Sequence, residues 1–107
     1  MLFVVLMSLS GCSETGNSGQ NNQSVETTAE QTYNRFCFSC HASGVAGAPK
    51  TGDLEAWKPR LVKGTDVLVR SVIEGMPSGM PERGMCIQCT DQDIEEVVDY
   101  ILKRSGG

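Results

Sequence analysis

The chain has 107 residues, with 9 Lys plus Arg against 13 Asp plus Glu and a net charge of −4. That length allows one small domain, and the acidic balance excludes the basic footprint that nucleic-acid binding requires. The same acidity favours solubility and electrostatically guided encounters with a positively charged partner.

The first segment, "MLFVVLMSLSGCSE", is a short apolar run ending in Leu9-Ser10-Gly11 directly before Cys12. Small residues before a cysteine at the end of such a run resemble the lipobox of bacterial lipoproteins, in which that cysteine is acylated and begins the mature chain. By the same resemblance Ser13, in place of Asp, favours sorting to the outer membrane. The run is far too short to span a bilayer, so residues 1–11 are read as a removed signal segment. No Lys or Arg precedes it, a departure from the usual basic start. Residues 13–25, "SETGNSGQNNQSV", bury almost nothing and read as a flexible tether with a reach of about 20 Å. The folded domain is then expected over 26–107, in an oxidising periplasm where paired cysteines can be crosslinked or modified.

Thr27 with Glu30 gives a capping-box pattern. Ala29, Tyr33, Phe36 and Cys40 then recur at helical spacing, predicting a helix with one apolar face over 28–40. Loops follow at "GVAGAP" and "MPSGMPERGM" by their Gly and Pro content. Between them a short helix is expected from Asp53 with its limit at Pro59. Another, capped by Thr65, should bury Val67, Leu68, Val72 and Ile73 before Gly75 stops it. The last helix is capped by Thr90, with Ile94, Val97, Val98, Ile101 and Leu102 on one face and charges placed as the helix dipole prefers. No strand pattern is visible. The expectation is an all-α domain of about four short helices with long connections. Its core is marginal for its size and lacks one large apolar group.

The stretch "RFCFSCHASG" places the single histidine of the chain directly after a Cys-x-x-Cys. That is the attachment signature of c-type haem. Thiols on one helical turn, Cys37 and Cys40, reach the two vinyl groups as thioethers, and His41 presents its imidazole to the iron. Two rival readings use the same residues. A four-thiolate zinc site would add Cys86 and Cys89, but across a gap of 45 residues. A thiol–disulfide motif expects a preceding strand. The attachment signature is the more specific match. With one histidine, the sixth ligand must come from elsewhere, and a thioether is the soft alternative. Met76, Met80 and Met85 all qualify, and Met80, between Gly79 and Pro81, leads by a small margin.

Residues 30–104 resemble a small class I c-type cytochrome of the cytochrome c5 family. The resemblance rests on "YNRFCFSCHASGVAGAPK", "GDLEAWKPRLVKG" and "GMPERGMCIQCTDQDIEEVVDYIL". It implies the class I cytochrome c fold around one covalent haem c, Met80 as the distal ligand and a Cys86–Cys89 disulfide. It also implies that Pro49 supplies the carbonyl that orients His41, and that Trp57 and Arg60 lie near the haem propionates. The chain departs from the family's Met-Pro-Pro-Lys-Gly, reading Met80-Pro81-Glu82-Arg83-Gly84. Residues 50–70 carry five basic and three acidic side chains, which suits neutralisation of buried propionates.

These readings converge on a monomeric, lipid-tethered periplasmic cytochrome, probing no substrate and shuttling single electrons between respiratory redox partners through a small contact area. A haem enzyme or gas sensor with a labile methionine is the alternative from another class, and a structural zinc lipoprotein is the third.

Overall fold

The computed structural model describes Gly11 and residues 27–107; the expected signal segment apart from Gly11, Cys12 and the expected tether lie outside the described residues. The chain begins with α1 (Thr28–Thr32), passes into a π-helical turn at Tyr33–Cys37 and continues as α2 (Phe38–His41). Helices α3 (Leu54–Leu61), α4 (Thr65–Glu74) and α5 (Asp91–Arg104) follow, with short 3-10 turns at Val45–Gly47 and Glu82–Met85. Counting the first run as one helix gives four, and the described residues contain no sheet, only an isolated bridge between Met76 and Met80.

The first helix starts where Thr27 accepts from the Glu30 N–H at 3.2 Å. Its face differs from the expected one. At the π turn the Phe38 N–H reaches back five residues to the Tyr33 carbonyl, which widens the local period. Tyr33 and His41 are buried, and Cys37, four residues from each, is half-buried and packs against the core, whereas Phe36 and Cys40, also half-buried, are not part of it. The extra residue per turn thus brings the first cysteine and the histidine onto the same side as the core tyrosine.

Two more boundaries depart from the sequence reading. Pro59 does not end α3, which runs on to Leu61. Proline there forfeits one backbone hydrogen bond, and the packing of Leu61 against the core carries the last turn through. At α4 the cap is Gly64, at φ 90, and Thr65 is the first helical residue without a side-chain cap bond. The inward face of α4 uses Val69, with Leu68, Val72 and Ile73 beside it, and leaves Val67 exposed.

Helix α5 follows the expectation. The Thr90 hydroxyl accepts from the Asp93 N–H, and the Asp93 carboxylate accepts from the Thr90 N–H, closing a capping box. Ile94, Val97, Val98, Ile101 and Leu102 are buried and join Tyr33, Trp57 and Val69 in one core. Each such side chain contributes about 1.5–3 kcal/mol on burial. The helix packs against α1 and α4. Beyond its end, fully buried Ser105 donates to the Ile101 carbonyl and accepts from the Gly52 N–H, tying the chain end to the loop after the first helix.

Among the described residues no helix is long and apolar enough to cross a membrane.

Candidate functional site

The first helix ends at His41, and three residues in left-handed conformation, Gly44, Ala46 and Gly47, fold the following loop back over it. That return brings the Pro49 carbonyl to 2.8 Å from His41 Nδ1. A carbonyl can only accept, so Nδ1 carries a proton, and in the neutral imidazole the lone pair is then on Nε2. The adjoining residues extend the bracket. The Lys50 carbonyl accepts from Trp57 Nε1–H at 2.8 Å, the Thr51 N–H donates to the His41 carbonyl at 2.8 Å, and the Tyr33 hydroxyl donates to Thr51 Oγ1 at 3.0 Å. His41 is thereby fixed through ring and backbone, and is 8% exposed.

His41 opens onto a partly open apolar cavity. Its apolar wall comes from α4 and α5, through Leu68, Val72, Val97, Val98 and Ile101, and Cys37 lines it beside His41. The segment Met76–Met80 also lines it. The Met76 N–H donates to the Met80 carbonyl at 2.8 Å and the Gly79 N–H to the Met76 carbonyl at 3.1 Å, which closes the segment into a tight loop. Met80 is half-buried, Met76 is 44% exposed, and Met85 is 72% exposed and does not reach the cavity.

Trp57 and Arg60 line the cavity as well. The indole N–H of Trp57 is engaged by Lys50, so ring atoms rather than a donor face the interior. Arg60 donates to the Ala56 carbonyl of its own helix through one Nη, leaving further guanidinium donors. Cys86 and Cys89 are joined by a disulfide, worth about 2 kcal/mol over so short a loop in the chain-entropy account.

The thiol chemistry separates the readings. Cys86 and Cys89 are bonded to one another and cannot act as thiolates, and no cluster of three or more His, Cys, Asp or Glu suited to a metal is found among the described residues. Burial pushes the Cys37 thiol up from 9.0 to about 11, with Cys40 adding to the shift. Such a thiol is protonated at neutral pH, which makes it a poor nucleophile for disulfide exchange. What remains is an apolar cavity with Cys37, a poised imidazole and a thioether-bearing loop on its walls, and Cys40 three residues along the same helix. Those features fit a covalently held haem.

A protein-family model described as "Cytochrome C oxidase, cbb3-type, subunit III" matches residues 25–101. The chain is 38% identical over 77 residues to cytochrome c-555 of Chlorobaculum tepidum, covering 69% of this chain and 71% of that protein. It is 37% identical over 73 residues to cytochrome c5 of Ectopseudomonas mendocina, covering 66% and 83%. The chain belongs to this cytochrome c family, among its small monohaem members. Solved structures agree. A mono-haem ferrocytochrome c from Shewanella putrefaciens matches with TM-score 0.63 at 48% identity, over 68% of this chain and 89% of that one. A chain from the "electron transfer complex of nitrite reductase with cytochrome c" matches with TM-score 0.69 at 38% identity, over 73% and 94%. The cytochrome carries one covalently bound haem c and is an electron carrier, not an enzyme.

The sequence did not single out Thr51, Ser105 or Arg83. Thr51 and Ser105 tie the histidine loop to the first helix and to the chain end. Arg83 crosses from the methionine loop to Cys89 and Asp91. For Arg83 the only sequence signal was its place in the departure from the family pattern.

Proposed function

We propose that this cytochrome carries single electrons between respiratory redox partners in the periplasm, with His41 and Met80 as axial ligands and a lipid on Cys12 as its tether. The observation that carries the reading is that the motif helix and the methionine loop line one cavity, with His41 Nδ1 committed to Pro49. Haem bound there supplies reversible one-electron exchange at its iron. Cys37 and Cys40 anchor it, and the Pro49 carbonyl sets the imidazole tautomer and makes Nε2 the stronger donor. Met80 is favoured over Met76 because it is the less exposed of the two and sits between Gly79 and Pro81. With His41 and Met80 both holding the iron, no place would be left on it for a substrate. The apolar wall keeps water away, which limits rearrangement on electron transfer and, with a thioether ligand, raises the potential. Arg60, on the cavity wall, supplies a cation for the propionates. Protein partners fit the electron transfer complex that a similar cytochrome c forms with nitrite reductase, and the acidic surface suits a basic docking face.

The experiment is Met80→Ala in the matured protein. The ferric haem should become five-coordinate and high-spin, while Met76→Ala stays low-spin. An unchanged low-spin spectrum for Met80→Ala would assign the sixth ligand elsewhere.

A further inference from the structure

The methionine loop leaves its cavity through a turn in which three successive residues are left-handed: Arg83 at φ 56, Gly84 at φ 59 and Met85 at φ 67. Glycine adopts that region freely, but arginine and methionine stay there only when their surroundings hold them. Backbone bonds from the Cys86 N–H to the Arg83 carbonyl and from the Ile87 N–H to the Met85 carbonyl close the turn, and the Arg83 side chain ties it to the rest of the domain. One Nη donates to the Cys89 carbonyl at 2.7 Å and the other to Asp91 Oδ1 at 2.9 Å. The guanidinium end is mostly covered, with the side chain 19% exposed, whereas Asp91 is 71% exposed. Arg83 therefore spans from the loop, past the Cys86–Cys89 bridge, to the first residue of α5. From Arg83 back to Met80 the chain has little freedom. Pro81 fixes one torsion, its carbonyl accepts from the Gly84 N–H at 3.0 Å, and the Met80 carbonyl accepts from Met76.

We propose that Arg83 is a positioning residue for the Met80 sulfur: its two-pronged grip on Cys89 and Asp91 latches the left-handed turn and keeps the thioether on the iron. The inference rests on Met80 ligation as proposed above. The Cys89 carbonyl carries most of the effect, because it receives a shielded charge-assisted bond, while an ion pair to so exposed a carboxylate contributes little. Lysine replaces the charge but not the planar fork.

The test is displacement of methionine from the ferric, matured protein by added imidazole, followed in the visible spectrum. Arg83→Gln should bind imidazole about tenfold more tightly than the parent, the scale expected for loss of one charge-assisted bond. Arg83→Lys should lie between, and Asp91→Asn within about twofold of the parent. A purely structural role would lower the denaturation midpoint and leave imidazole affinity where it was. Parent-like affinity in Arg83→Gln, or an equal effect of Asp91→Asn, overturns the latch. If Arg83→Gln does not mature, Arg83→Lys takes its place, and parent-like affinity there overturns the latch equally. Met80→Ala, measured alongside before imidazole is added, tests the ligation reading separately: a low-spin spectrum there removes Met80 as ligand whatever the Arg83 variants do.

Discussion

His41 is held by three residues in a row. The Pro49 carbonyl accepts from its Nδ1–H, the Thr51 N–H donates to its carbonyl, and the Lys50 carbonyl between them accepts from the Trp57 indole N–H. A loop tied down by these bonds cannot shift without breaking several of them together, and that rigidity holds the imidazole in one orientation. Tyr33 reinforces it from the helix side through Thr51 Oγ1. Tyr33→Phe removes only that hydroxyl, so thermal denaturation should show a loss of about 1 kcal/mol, with the haem spectrum unchanged. A spectrum that changes with the hydroxyl would mean that Thr51 does more than brace the loop.

At the scale of elements, the methionine loop depends on a close approach at its base. Gly75, at φ 75, ends α4, and a Cβ there would lie 2.7 Å from the Glu82 backbone nitrogen and 3.1 Å from the Met80 carbonyl. Gly75→Ala combines that clash with a left-handed backbone and should destabilise the domain by about 1–3 kcal/mol in chemical denaturation, while loosening the loop that carries Met80. Much of this architecture was legible beforehand. Thr90 and the i, i+3, i+4 spacing of Ile94 to Leu102 fixed α5, because caps and apolar period are local properties of sequence. The Cys37, Cys40, His41 signature located the cavity for the same reason. The rest depended on backbone geometry that no local pattern encodes. The π turn at Tyr33–Cys37 re-aimed a face read with the ordinary helical period. Gly64 rather than Thr65 caps α4. The left-handed Arg83 and Met85 are set by tertiary bonds rather than by their own preferences.

Taken as a whole molecule, the chain folds around a cavity whose walls come from every helix of the domain, so cofactor attachment and folding are coupled. A core of this size is marginal alone, and a large apolar group held by two covalent bonds completes it. The acidic surface and the proposed tether act on a different level: they set where the rigid domain meets its partners, not what it does. Several acyl chains anchor firmly, each buried methylene adding about 0.8 kcal/mol. Cys12→Ala, expressed in a host that processes lipoproteins, should therefore move the cytochrome from the membrane fraction to the soluble one with its haem retained. Persistence in the membrane would end the lipid-anchor proposal.

The most direct test of the whole account is a spectroelectrochemical titration of the matured cytochrome, with carbon monoxide added to the reduced form. One reversible one-electron transition is expected, low-spin on both sides, with no rapid carbon monoxide binding at neutral pH. A high-spin ferrous state that binds carbon monoxide at once, or the lack of a reversible transition, would contradict an iron clasped by His41 and Met80.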